Sequence, residues 1–262
     1  MHFRLIRSTL CALSALSSVP VLAAPAIWTQ HNDNSRTGAN LSETALTTAN
    51  VNQTQFGKLW TAVLDDQSYC QPLFVPNVTV GGVAHNAIFD ATVNNGVYCV
   101  DADTGASLWH VSLTPSGATV PAASNMSALG ACGGAYTDFT GKFGIVGTPV
   151  IDTSTGMLYV VARTIEGSTW VQRLHALDIT TGAEKLGGPI TISGTSNGVT
   201  FNPQLNNQRA ALALVNGVVY IPWSSHCDYG AYHGFVMGYS ALNLAHLSTW
   251  ADTSSTGSQA GI

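Results

Sequence analysis

The stretch Tyr98-Cys99-Val100-Asp101-Ala102-Asp103-Thr104-Gly105-Ala106-Ser107-Leu108-Trp109 decides the fold. It opens on a short β-branched and aromatic run, breaks at an acidic, glycine-containing turn and resumes as a second apolar run. That is the chemistry of a strand, a tight reversal and a strand. Asp101 at the strand end can accept hydrogen bonds from turn amides, and Gly105 supplies the positive φ that lets the chain reverse. The core Asp-x-x-Thr-Gly recurs 77 residues on, at Asp178, Thr181 and Gly182. A third stretch, Tyr239-Ser240-Ala241-Leu242-Asn243-Leu244, holds the same place with the Asp and the Gly lost.

Three segments align around these turns, about residues 70–113, 147–192 and 210–251, each with four short strands in the same order. The first predicts strands at 73–80, 86–92, 96–101 and 108–113, the second at 148–151, 157–164, 171–178 and 189–193. The third predicts 211–214, 218–224, 235–239 and 247–250. Four-stranded antiparallel repeats with a shared turn imply an all-β protein built of β-propeller blades, in which radial packing buries both faces of each sheet. The spacing between the first two turns is long because a Gly- and Ser-rich insertion, residues 114–144, separates the blades. The run Phe56 to Leu64 is expected as an isolated strand before the first complete blade. Three blades fall short of the usual minimum of about four, so an incomplete ring or a piece of a longer propeller is expected. The partial propeller is placed at 56–262, preceded by an extended segment at 24–55.

Composition supports this reading. Only 9% of the 262 residues are charged and 26 are Gly, and with 3 Lys, 6 Arg and 3 Glu a bundle of long solvated helices lacks the residues for its outer faces. The formal charge of −5 excludes a basic nucleic-acid binder.

Arg4 and Arg7 precede an apolar run from Leu10 to Leu22 with Ala23 and Ala24 behind it, the order of a secretory signal. Residues 1–23 are therefore expected to be a signal peptide and the protein to be periplasmic or extracellular. That run is too short and too rich in Ser and Pro for a stable transmembrane segment, and no later stretch is long enough. Four cysteines then remain, Cys70, Cys99, Cys132 and Cys227, in a compartment where disulfides persist. No C-x-x-C pair occurs, so structural disulfides or buried thiols are expected rather than redox or metal chemistry. Cys70 begins the first strand of its blade and Cys99 lies in the third, too far apart to bridge. Cys132 and Cys227 both fall in inter-strand loops free to approach, and their pairing would tether the insertion.

The string from Gly96 to Trp109, with Tyr-x-x-Asp-x-x-Thr-Gly-x-x-Leu-Trp, resembles the tryptophan-docking blade motif of exported quinoprotein-like propellers, the repeats named for pyrroloquinoline quinone. Its marks here are Asp101, Thr104, Gly105 and Trp109, with Asp178, Thr181 and Gly182 in the second copy, which lacks the terminal Trp. Dehydrogenases of this family hold the quinone and a calcium ion on the propeller axis, with a catalytic Asp and often a disulfide between adjacent cysteines. The sequence has no adjacent Cys pair, and no position carries over as the catalytic Asp or a calcium ligand. The resemblance therefore implies a propeller without a cofactor, a binding or scaffold module for a protein or glycan, before it implies a quinone-dependent alcohol or sugar dehydrogenase.

His226, Asp228 and His233 cluster around Cys227 on the loop between the second and third strands of the third blade, and they form a candidate binding constellation. With Cys227 in a disulfide, His226 and Asp228 are expected to satisfy loop amides rather than a metal. The run Asp33 to Gly38 mimics the start of a calcium loop, but its twelfth position is Thr44, so a polar turn is expected. Trp60, Trp109, Trp170, Trp223 and Trp250 are expected to pack between blades. No Walker-type loop or His-Glu-x-x-His occurs to anchor a nucleotide or metallohydrolase reading.

Overall fold

The turn after the third strand of each segment is built the same way three times. The amide of Asp101 bonds the carbonyl of Ala106 at 2.8 Å, and the amide of Gly105 bonds the carbonyl of Asp101 at 2.8 Å. The pairs Asp178–Ala183 and Gly182–Asp178 repeat this at 2.9 and 2.8 Å, and Ser240–Ala245 and Leu244–Ser240 at 2.8 and 2.9 Å. Gly105, Gly182 and Leu244 all have positive φ, at 76°, 70° and 57°. The loss of Asp and Gly in the third copy therefore leaves the backbone unchanged: Ser240 Oγ replaces the carboxylate as acceptor for the Leu242 amide at 3.2 Å. Leu244 bears the left-handed conformation itself, its side chain held in the core.

The computed structural model describes residues 25–253. The signal-like segment 1–23 lies outside the described residues. The first sheet is β1 (Leu73–Val80), β2 (Val83–Ala91), β3 (Gly96–Asp101) and β4 (Ser107–Ser112), antiparallel in that order. The second holds β5 (Ala118–Thr119), β6 (Val150–Asp152), β7 (Met157–Glu166), β8 (Thr169–Asp178) and β9 (Ile190–Thr191), with β5 and β6 both paired to β7. A small hairpin, β10 (Thr195–Ser196) and β11 (Val199–Thr200), precedes the third sheet. That sheet is β12 (Asn206–Asn207), β13 (Ala213–Val215), β14 (Val218–Ser225), β15 (Phe235–Ser240) and β16 (His246–Ala251), with β12 and β13 both on β14. The fold is all-β, with β-propeller blades of four to five antiparallel strands.

Both faces of the middle sheet are buried. On β7, Leu158, Val160 and Ala162 pack toward the first sheet while Tyr159 and Val161 pack toward the third, the period-two alternation of a strand between two neighbours. An indole fastens each of the first two turns to the chain beside it. Trp60 Nε1 donates to the carbonyl of Ala102 at 2.9 Å, and Trp109 Nε1 donates to that of Ile179 at 2.9 Å. A Cβ on Gly105 would lie 2.7 Å from Trp60, and one on Gly182 would lie 2.8 Å from Trp109, so these glycines are the seats on which the indoles rest. At the third turn Leu244 fills that seat and Leu186 stands at the sequence place of Trp109. The latch is replaced by Tyr159, whose hydroxyl donates to the carbonyl of Ala241 at 2.6 Å.

Phe56 to Leu64 departs from expectation. It forms no strand, because no neighbouring strand offers a ladder, and Trp60 anchors it by its side chain alone. Trp250 also departs: it is 52% exposed on the edge strand β16, on which the β10–β11 hairpin leaves it uncovered, and Leu242 and Leu247 are exposed as well. Thr181 takes only part of the role of Thr104. Each hydroxyl receives the amide two residues on, Ala106 or Ala183, but Asp101 accepts from Thr104 itself whereas Asp178 accepts from the amide and hydroxyl of Thr180.

Residues 27–36 run across the inner edges of all three sheets. Ile27 exchanges backbone hydrogen bonds with Phe74 on β1, and the Trp28 carbonyl accepts from Ile151 on β6. Asn34 Nδ2 donates to the carbonyl of Leu214 on β13 at 2.8 Å, and Arg36 reaches the carbonyl of Leu212 at 3.1 Å. The Trp28 ring packs against both inter-blade cores. The chain itself thus fills the line along which the three inner edges meet.

Candidate functional site

The insertion between the first and second blades folds into a cap on one rim. It contains α1 (Ala123–Leu129), ended by Gly130 at φ 94°, and a short 3₁₀ turn at Ala131–Gly134. Its own core gathers Met126, Tyr136, Phe139, Phe143 and Val146. The cap is fastened to the β14–β15 loop of the third blade by a Cys132–Cys227 disulfide with a Cα–Cα distance of 5.8 Å, by a hydrogen bond from the Tyr229 hydroxyl to the Leu129 carbonyl, and by Tyr136 on His226 at 2.6 Å. Cys70 and Cys99 are free and buried. Burial, reinforced by Asp101, pushes the Cys99 thiol up to about 12, and burial with Asp90 nearby drives that of Cys70 up as well, so neither is a nucleophile near neutral pH.

Beneath the cap lies a buried polar cluster. Arg163 on β7 is only 1% exposed, yet no carboxylate pairs with it. Its guanidinium donates to the Phe143 carbonyl at 3.0 Å and to Asn207 Oδ1 at 3.1 Å, and it lies 5.1 Å from the Phe143 ring centre. Burial lowers it to about 10, partly offset by Tyr136, so it stays a cation at neutral pH. Burial, then the charge of Arg163, pushes the His226 imidazole down to about 2, which keeps it neutral. Arg163 Nε and His226 Nε2 are buried without a hydrogen-bond partner.

Beside this cluster opens a cleft of about 390 Å³ lined by Gln30, Asp138, Asn207, Arg209, Ser224 and Ser225. Gln30 comes from the segment on the inner edges, Asp138 from the cap, and the others from the third blade and the loop before β13. The Arg209 guanidinium has no hydrogen bond or ion pair among the described residues.

The constellation expected around Cys227 does not converge. His226 is turned inward on Tyr136, Asp228 bonds Ser225 at 2.9 Å, and His233 bonds Thr253 at 2.5 Å. Asp33 accepts from Thr37 as a polar turn does. Arg163, Asn207, Arg209 and Asp138 escape motif reasoning because no spacing links them. The one signal was an arginine inside the apolar run Met157 to Ile165, where a charge is costly unless held.

A calcium ion takes six to eight oxygen ligands, and among the described residues no three His, Cys, Asp or Glu side chains converge on one point. The carboxylates of Asp101 and Asp178 are spent on their turns.

No family model and no curated protein matches the sequence. The structure is similar to the quinohemoprotein alcohol dehydrogenase from Comamonas testosteroni, with 19% identity and a TM-score of 0.56 over 87% of this chain and 27% of that one. It is also similar to the quinohemoprotein alcohol dehydrogenase ADHIIG from Pseudomonas putida HK5, at 19% identity and TM-score 0.43 over 72% of this chain and 21% of that one. BamB from Moraxella catarrhalis matches at 13% identity and TM-score 0.21 over 72% of this chain and 71% of that one. The chain therefore spans about a quarter of the length of the Comamonas testosteroni enzyme. At these identities the likeness is one of fold alone, a β-propeller. Among the described residues no helix is long and apolar enough to cross a membrane.

Proposed function

We propose that this chain is an exported β-propeller that acts as a binding or scaffold module for a protein or glycan, without chemistry of its own. The observation that carries the reading is the course of residues 27–36. Their hydrogen bonds to Phe74, Ile151, Leu212 and Leu214 occupy the inner edges of the three blades, the place where the family's dehydrogenases keep their cofactor. The rim cleft beside them offers amides, hydroxyls, a carboxylate and a guanidinium. Such groups orient a ligand. Export is supported by the order of residues in the first 24 positions and by the Cys132–Cys227 disulfide, a bond that persists in oxidising compartments.

The test is reconstitution of the purified chain with pyrroloquinoline quinone and calcium, followed by dye reduction with alcohols and aldoses. The expected result is no reduction above the protein-free control. Substrate-dependent dye reduction would establish the dehydrogenase reading instead.

A further inference from the structure

The rim cleft carries a sharper assignment, which rests on the binding-module reading. The lining holds one cation, Arg209, and one carboxylate, Asp138, with a second cation, Arg163, joined to the lining through Asn207. Arg163 is already committed to Phe143 and Asn207, and by holding Asn207 Oδ1 it fixes that carboxamide with its nitrogen left to donate elsewhere. Arg209 has no acceptor among the described residues, so its planar fork can take a carboxylate with two parallel hydrogen bonds. In the rest of the lining, Gln30 and Ser224 supply groups that both donate and accept and Asn207 supplies a donor, the mixture that hydroxyl groups require of their partners. Asp138 can accept from a hydroxyl and would repel a dianionic phosphate. No large apolar side chain lines the cleft, so it offers no seat for a hydrophobic peptide anchor. Its volume of about 390 Å³ falls at the small end of ligand sites, which run from about 300 to 1,000 Å³.

We propose that the cleft binds a single acidic sugar unit, a uronic acid, with Arg209 on its carboxylate and Asp138, Asn207 and Ser224 on its hydroxyls. The site is then a glycan-recognition site for acidic polysaccharide.

Galacturonate titrated into the purified full chain, followed by calorimetry, tests this with galactose and acetate as parallel arms. Galacturonate is expected to bind at least about tenfold more tightly than either, with an affinity that falls as salt is raised. Arg209→Gln, an exposed substitution that leaves the fold intact in a thermal melt, should cost galacturonate at least about tenfold and leave galactose unchanged. Asp138→Asn should weaken galacturonate and galactose alike. The proposal is overturned if galacturonate binds no better than galactose, if acetate alone matches it, if Arg209→Gln binds as the parent does, or if no arm binds at millimolar sugar. Failure of this assignment is separable from failure of the parent reading. Absent binding with no dye reduction removes only the sugar acid, whereas bound galacturonate that drives dye reduction removes only the claim that the module lacks chemistry.

Discussion

Gly182 bears no side chain because Trp109 occupies the space where one would stand. A methyl group there would meet the indole at 2.8 Å on a backbone already at φ 70°, so Gly182→Ala should destabilise the protein by about 1–3 kcal/mol. Urea unfolding measures it, and an unchanged midpoint would show that the indole is not seated on this turn. His226 makes a different prediction. Its imidazole holds a proton far more weakly in the folded protein than at its ordinary value of 6.5, because burial and Arg163 disfavour the cation. The neutral form belongs to the fold, so the stability it supplies is complete above about pH 6.5 and is lost as the pH falls toward 2. The slope is up to about 1.4 kcal/mol per pH unit. Asp101 adds a second acid limb. His85, then Thr104 and the turn amides, hold its carboxyl at about 2, below its ordinary 3.8, so its contribution disappears between about pH 4 and 2. His226→Gln should flatten the stability profile between pH 6.5 and 4 and leave the steeper fall below it. A variant with the parent's slope across that upper window would refute the assignment.

At the scale of elements, what was legible in the sequence is what short-range chemistry dictates. The Asp-x-x-Thr-Gly turns and the alternating runs beside them mark β3 at Gly96–Asp101, and they mark the starts of β7 and β14, because turn and strand preferences act over a few residues. The insertion read as a loop, and its helix was invisible for a physical reason. Seven residues without acidic or basic ends make no helix alone, and α1 exists because Met126 is buried in the cap. The latch at the third blade was equally hidden, since Tyr159 replaces an indole from a different strand. Trp250 has the sequence setting of a core strand, and its exposure depends on which face of β16 the β10–β11 hairpin covers, which no local signal reveals. The cap depends on its tether: Cys132→Ala with Cys227→Ala opens a loop whose closure entropy is about 4–5 kcal/mol, so a loss of about 2–5 kcal/mol is expected in the denaturation midpoint. A change below about 0.5 kcal/mol would mean that Tyr229, Tyr136 and the cap's own core hold it without the bond.

For the whole molecule, the feature that sequence could not disclose is the segment on the inner edges. Nothing local in residues 27–36 announces that they touch three sheets, because their partners lie far along the chain. Trp28→Ala should therefore weaken distant places together. Amide hydrogen exchange is expected to quicken at Phe74 and Ile151, whose N–H groups bond this segment, well beyond any change at the exposed turns. Confinement of the change to residues 27–36 would show the blades to be held independently.

That same segment sets an order of events. Thr29 and Asn34 find their partners at Leu212 and Leu214, separations of 183 and 180 residues, so the first part of the described chain to be synthesised is among the last to be satisfied. Loop closure across such distances makes folding slow, and until β13 is available the inner edges of β1 and β6 stay short of a fully fixed strap. A chain wired in this way remains unfinished for as long as its synthesis lasts, which would suit the proposed export, in which a polypeptide is threaded through a narrow pore before it takes its final shape.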